Sequence, residues 1–463
     1  MSLEFPEHFK FGVATSSYQI EGAFDTDGRG TSIWDTFSKT PGKVVNAETG
    51  DIACDHYNRY KEDVALMKQL GMQTYRFSIA WPRLFPNGDT QREQRGFDFY
   101  HRLIDELIEN GIEPVITLYH WDLPQALEDK GGWANRDIVE AFDYYVGECV
   151  KEFGSKVSKW ITLNEPWVFI WLGYMNGIHA PGVKSLDAAI AGSHHTVLAH
   201  HKAASTIRAI QSDASVGISF NMTNYVTDDP QNAELQELKV LMDSHINRWW
   251  MDAIFNGSYP QELADFYGDQ LQKFMLPGDA ELLATETDFV GVNYYSDSYL
   301  STPQPEDKPM VEGGLFPFPH RSNGATPEPK TDIGWPVTPH GIGDLLIRIA
   351  RDWPAVKSIV ISENGAAYHD VKSADGTVND AARVEYLEGH LHHVARAIHA
   401  GAPVDAYFAW SFMDNFEWAE GYAMRFGIVY VDFTTLERTP KRSAEVYSSI
   451  ISAHVNRWEL ARI

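Results

Sequence analysis

EPVITLYHWDLPQALEDKGGWANRDIVEAFDYYVGECVKEFGSKVSKWITLNEP (113–166) opens and closes on apolar runs of strand length, EPVITLYH (113–120) and KWITLNEP (159–166), with an amphipathic helical stretch over 136–153 between them. The same unit recurs on either side. FGVATSSY (11–18), TYRFSIA (74–80), VGISFN (216–221), DFVGVNYY (288–295), IVISENG (359–365) and DAYFAWSF (405–412) complete a set of eight such runs. Strand-length runs alternating with amphipathic helices argue for a parallel sheet with helices outside it. The helices predicted between them are 56–71, 97–111, 136–153, 187–211, 232–256, 341–352, 380–400 and 441–455, the first two ending in Gly71 and Gly111, each placed to cap a helix C-terminus. The expected fold is α/β, a single (β/α)8 barrel with elaborated loops on its C-terminal face.

The chain has 463 residues, and no Ser/Gly linker, charge block or low-complexity tract divides it, so 1–463 is expected to be one barrel domain. The longest irregular piece, 296–338, is rich in Pro and Gly and follows the sixth run, which places it on the rim at the C-terminal end of the strands. The 38 Lys and Arg against 64 Asp and Glu give a net charge of −26, which disfavours nucleic acid and anionic lipid as partners. Cys54 and Cys149 are too few for a disulfide framework and lack metal-site spacing. The N-terminal MSLEFPEHFKFG has neither a basic nor an apolar leader region, so a cytoplasmic location without membrane association is expected. His194-His195, His200-His201 and His392-His393 are adjacent pairs on predicted helices, pointing about 100° apart, and are expected to be core or solvated residues. GAFDTDGRG (22–30) lacks both dinucleotide and Walker signatures. No metal and no cofactor is expected.

The active site of such a barrel gathers where the strands end. Those ends carry Gln19 and Glu21 after the first strand, Arg76 on the second, His120-Trp121, Asn164-Glu165, Asn293-Tyr294-Tyr295, Glu363-Asn364, and Trp410 leading to Glu417-Trp418. Carboxylates, amides and aromatic rings converge without a nucleophilic Ser or Cys motif. Amides and carboxylates make the paired hydrogen bonds that vicinal hydroxyls need, while aromatic faces pack on the C–H faces of a pyranose. Cleaving a glycosidic bond needs two carboxyl groups about the anomeric carbon, and Glu165 and Glu363 close strands that lie across the barrel mouth.

Four blocks carry a resemblance to family 1 of the glycoside hydrolases, the β-glucosidase family: FPEHFKFGVATSSYQIEGA (5–23), TLNEP (162–166), ISENG (361–365) and SFMDNFEWAEGYAMRFGIVYVDF (411–433). The resemblance covers essentially the whole chain. It implies a retaining β-glucosidase with Glu165 as general acid/base and Glu363 as nucleophile, supported by Arg76, Asn293 and Tyr295. It also implies a glycone site of Gln19, His120, Trp121, Asn164, Trp410, Glu417 and Trp418 with Phe426 at the C6 end, and Trp167 and Trp335 on the aglycone side. The expected substrates are β-glucosides and cello-oligosaccharides; the oligomeric state is left open. Leu163, Ser362, Phe412-Met413 and Val446 depart from the common pattern without removing a catalytic atom. A 6-phospho-β-glycosidase is opposed by Glu417, whose carboxylate would repel a phosphate, and a non-catalytic sugar-binding protein by the presence of both glutamates. Hydrolysis and transglycosylation share every catalytic residue, and both stay open.

Overall fold

The computed structural model describes residues 4–283, 286–304, 306–309, 316–322 and 326–461. All eight expected strands are present: β1 (Lys10–Ala14), β2 (Thr74–Ser78), β3 (Glu113–Tyr119), β4 (Lys159–Asn164), β5 (Ser215–Asn221), β6 (Phe289–Asn293), β7 (Ile359–Asn364) and β8 (Val404–Trp410). They pair in parallel in sequence order, and the sheet closes because β1 pairs with both β2 and β8, with Gly12 opposite Thr74 and Phe408. The helix His56–Gln69 ends as expected, Gly71 at φ +76° letting the Met72 N–H turn back to the Met67 carbonyl. Gly111, at φ +74°, ends the helix Gln94–Glu109 in the same way, with the Ile112 N–H donating to the Leu107 carbonyl.

Burial on both sides explains why the strands read as continuous apolar runs. One core lies between the sheet and the helices. A smaller one fills the barrel, built from Val115, Ile161, Phe289, Val360, Ala406 and Phe408 and including Trp410 and Phe426. The last helix, Arg442–Ala461, packs back on the closure: the Tyr447 hydroxyl donates to the Gly12 carbonyl at 2.9 Å.

Two expectations need correction. The helix read over 232–256 is three pieces, Ala233–Asp243, a wide π turn Ser244–Arg248, and Trp249–Phe255. The π turn lets the buried His245 ring pack against Trp171, with centroids 4.4 Å apart, which an unbroken 3.6-residue period does not foresee. The segment 296–338 is not wholly irregular: Ser298–Ser301 pairs in parallel with Tyr225–Thr227 and antiparallel with Arg321–Ser322. Its residues 305, 310–315 and 323–325 lie outside the described residues, as do residues 1–3 and 462–463 of the expected single domain. Of the paired histidines, His194 bridges Tyr259 and Asp279, and His200 bridges Thr162 and Thr287, so both are satisfied core groups. Among the described residues no helix is long and apolar enough to cross a membrane.

Closure leaves no room at Gly12, where an added Cβ would stand 2.3 Å from the Thr74 carbonyl oxygen and 2.7 Å from its methyl. Gly12→Ala is predicted to cost about 1–3 kcal/mol, as overpacking does. Thermal unfolding checks this, and an unchanged midpoint would contradict closure at this contact.

Candidate active site

The two strand ends that carry the glutamates are irregular. Pairing register slips between Ile161 and Asn164 where β4 meets β5, and between Ile361 and Glu363 where β7 meets β6. Such irregularities re-aim side chains at a sheet rim. Glu165 itself lies in the left-handed region at φ +51°, as do Trp121 at +80° and Trp418 at +49°. Three non-glycine residues in that region around one cavity hold strain of about 1–3 kcal/mol each, which the packing around them must offset.

Arg76 has no exposed surface and ties these ends together. Its Nη1 donates to Glu363 Oε1 at 2.7 Å, its Nη2 to Asn164 Oδ1 at 2.6 Å, and its Nε to the Thr117 hydroxyl at 3.0 Å. With the Asn164 oxygen so engaged, its Nδ2 faces His120 Nε2 at 3.2 Å and must donate to it. Burial, then Arg76, holds His120 well below the usual imidazole range, so the ring is neutral and can accept. The Asn293 amide donates to Asn164 Oδ1 at 3.0 Å and to Glu165 Oε1 at 2.8 Å, and its oxygen accepts from the Ser362 hydroxyl at 2.6 Å. The Tyr295 hydroxyl donates to Glu363 Oε2 at 2.6 Å.

These contacts divide one charge unequally. Burial, then repulsion from Glu363, lifts Glu165 to about 8, against the pull of the Asn293 amide and Arg76. Burial lifts Glu363 as well, and Arg76 and Tyr295 pull against that rise. Of the two, Glu363 takes the negative charge, because its oxygens meet a guanidinium and a phenol while Glu165 has one neutral amide.

A cavity of about 470 Å³ opens above this network, lined by twelve of the fifteen expected residues: Glu165, Glu363, Asn293, Tyr295, His120, Trp121, Trp410, Glu417, Trp418, Phe426, Trp167 and Trp335. Arg76 and Asn164 are buried partners of the lining groups. Gln19 is likewise absent from the lining, its amide donating to Asn415 Oδ1 at 3.0 Å, the Phe416 carbonyl at 2.9 Å and Glu417 Oε2 at 3.4 Å. Three residues singled out at strand ends do not line this cavity either. Glu21 pairs with Arg83, Tyr294 donates to Asp297, and Asn364 bonds the Tyr294 carbonyl and the Tyr407 hydroxyl. The indoles of Trp121 and Trp418 lie 4.5 Å apart by centroid, and Trp410 stacks with His120 at 5.8 Å, forming an aromatic wall around Glu417. Sequence reasoning missed Met222, Met242, Ile246, Phe316 and Glu420, all of which line the same space. Among the described residues no three His, Cys, Asp or Glu side chains gather as a metal cage.

Residues 1–456 match the model of glycosyl hydrolase family 1. The chain belongs to that family. Among its relatives are the β-glucosidase A of Acetivibrio thermocellus, 44% identical with 97% of this chain and 98% of the relative covered, and the 1,4-β-D-glucan glucohydrolase of Thermotoga neapolitana, 43% identical over 97% and 98%. The β-glucosidase of Thermotoga maritima in complex with glucoimidazole superposes with a TM-score of 0.91 at 42% identity, covering 97% of this chain and 99% of that one. As a family 1 member the protein is a glycosidase on a (β/α)8 barrel.

Glu417 sits in this family 1 site with burial, then Glu363 and Glu420, raising it from its ordinary 4.5 to about 8. The folded protein therefore keeps this proton over a range where the unfolded chain has lost it, and stability from this group declines as pH rises from about 4.5 to 8. Glu417→Gln is predicted to raise the melting temperature by a few degrees at pH 8 and to change it much less at pH 4.5. A gain of equal size at both pH values would contradict a carboxyl that burial keeps protonated.

Proposed function

We propose that the protein is a retaining β-glucosidase in which Glu363 is the nucleophile and Glu165 the acid/base, with residues 1–463 acting as one catalytic unit. The observation that carries this reading is the asymmetry of the two carboxyls: Glu363 accepts from Arg76 and Tyr295, while Glu165, raised to about 8, accepts among the described residues only the Asn293 amide. Because Oε1 of Glu165 accepts that amide, its proton belongs on Oε2, which has no donor among the described residues and is where it meets the glycosidic oxygen. Glu363 attacks the anomeric carbon as Glu165 protonates the leaving group, and a glycosyl ester forms with inversion. The ester removes the negative charge of Glu363, which favours ionisation of Glu165. Glu165 then takes a proton from water, whose attack inverts the centre again and restores the β configuration.

The glycone reading rests on Glu417 within the indole wall. An unphosphorylated glucosyl ring fits this chemistry: the cavity is lined by Glu165, Glu363, Glu417 and Glu420, and by no Lys or Arg among the described residues. A phosphate on O6 would meet carboxyls without a cation to pair with it. The glucohydrolase and glucosidase names of the relatives agree with terminal β-D-glucosyl residues as substrate.

Removing either carboxyl is predicted to fail in its own way. Glu363→Gly eliminates the attacking group and opens space beneath the anomeric carbon, so with a dinitrophenyl β-glucoside and azide the product is the α-glycosyl azide, from one inversion. Glu165→Gly still forms the ester, since dinitrophenolate leaves unprotonated, and azide then yields the β-glycosyl azide. Proton NMR of the anomeric centre reads both products. A β product from Glu363→Gly would overturn the assignment of roles.

A further inference from the structure

A second cavity, of about 660 Å³, lies outside the catalytic one, between the helical segments of 233–255 and the end of the helix Pro339–Asp352. Tyr225 is the one lining residue that the two cavities share, so its side chain is part of the wall between them. Their charges differ in kind. The catalytic cavity has four glutamates and no Lys or Arg among the described residues, whereas the outer one presents Lys239, Arg248, Arg348 and Arg351. Three carboxylates stand against these four cations, Asp243, Asp252 and Asp352. A local excess of positive charge is notable on a chain whose net charge is −26.

The carboxylates are already engaged within the wall. Asp243 accepts from both Nη groups of Arg348 at 2.6 Å and from the Asn247 amide at 2.7 Å. Asp252 accepts from the Trp353 indole N–H at 2.7 Å, from Arg248 Nε at 3.0 Å and from the Asn256 amide at 3.2 Å. Asp352 accepts from Arg351 Nε at 2.7 Å and Nη2 at 3.1 Å, and from Arg348 Nε at 3.2 Å. Arg248 also reaches Glu262 at 3.3 Å, outside the lining. What is left over is donors. Arg351 Nη1 has no acceptor and the half-buried Lys239 has no ion-pair partner among the described residues. Lys239 stands four residues before Asp243, on the same face of its helix, and so beside the carboxylate that Arg348 grips. A cavity whose acceptors are filled and whose free groups are cationic donors suits an oxyanion better than a neutral polyol, which needs acceptors as well.

We propose that the outer cavity is a binding site for a phosphate group, free or carried on a sugar, with Lys239 as its principal contact and Arg351 at the rim. A phosphate dianion offers three terminal oxygens to these donors, and the arginines that the aspartates hold in place need no further ordering to present their charge. The volume is that of a site for a small organic molecule, so a pyranose has room beside the phosphate. The two cavities then sort their ligands by charge: a phosphorylated sugar finds no cation in the catalytic cavity and four in the outer one.

The test is calorimetric titration of the whole protein with inorganic phosphate, glucose 6-phosphate and glucose, in a phosphate-free buffer of low salt at a pH where the phosphate is a dianion. Saturable binding of glucose 6-phosphate, of inorganic phosphate or of both is expected, weakening as sodium chloride is added, with glucose at least about tenfold weaker. At a hundredfold excess over Kd the bound probe should raise the melting temperature by about 2–3 °C. Lys239→Glu is expected to weaken binding at least about tenfold while its melting temperature without ligand stays within about 1 °C of the parent, which reports that it folds. Tighter binding of glucose 6-phosphate would support the site and name a sugar phosphate as its ligand; binding of inorganic phosphate as tight or tighter would support it and name the free ion. Absence of saturable binding by either phosphate probe, glucose binding as tightly as glucose 6-phosphate, or an unchanged affinity in Lys239→Glu would each overturn the proposal. None of these readouts depends on the glucosidase reading.

Discussion

A guanidinium with no contact with solvent holds the centre of this molecule. Arg76 projects from β2 into the barrel and meets Glu363 from β7, Asn164 from β4 and Thr117 from β3. Placing a cation there is costly, and leaving one half of such a buried pair alone typically costs about 3–5 kcal/mol. The arrangement is therefore tolerable only if the barrel closes in the register that brings four strands to one point. That requirement joins fold and chemistry: the group that makes β2 stable inside the barrel is the same group that makes one carboxyl of the pair the charged one. Asn164 and Asn293 extend the network to Glu165 by neutral hydrogen bonds, so no second cation competes for its proton.

Around this centre the protein concentrates local strain and desolvation. Slipped register at the ends of β4 and β7, left-handed backbone at Trp121, Glu165 and Trp418, and three carboxyls raised by burial all lie at one mouth. The loop bearing Glu417 and Phe426 is held from behind by ionic contacts: Asp414 accepts from Lys441 Nζ at 2.6 Å, from Arg425 at 2.7 Å and from the Gly427 N–H at 3.0 Å. Rigid support beneath and strain at the rim are what a preorganised site requires.

The eight strands were legible because strands covered on both faces give short unbroken apolar runs, and the chain punctuates them with helices ended by Gly71 and Gly111. The cluster of polar residues around the cavity was legible because its members stand at the ends of apolar runs, where a core has no use for them. Gln19 and Glu21 show the limit of that rule, since both satisfy it, yet the first backs Glu417 and the second pairs with Arg83. Met222, Met242 and Ile246 fall at the other limit. An apolar residue facing a cavity has the same spacing and chemistry as one facing another side chain, so periodicity assigns it to the core. The π turn at Ser244–Arg248 was hidden likewise, because the addition of one residue to a helical turn leaves no compositional trace.

The central claim is that the charge on Glu363 keeps the proton on Glu165, and it is tested most directly by titrating Glu165 with that charge present and then absent. Carbon-13 NMR of enzyme labelled at glutamate carboxyls, with Glu165→Gln to assign the signal, gives the first value. Trapping the ester with a 2-fluoro-glucosyl donor neutralises Glu363 and gives the second. A fall of at least about one pH unit, from near 8, is the predicted result, since one unit is about 1.4 kcal/mol and repulsion from Glu363 is, after burial, the next cause of the rise at Glu165. An unchanged or higher value in the trapped enzyme would show that burial alone holds the proton, and that the pairing of Arg76 with Glu363 does not set the roles of the two glutamates.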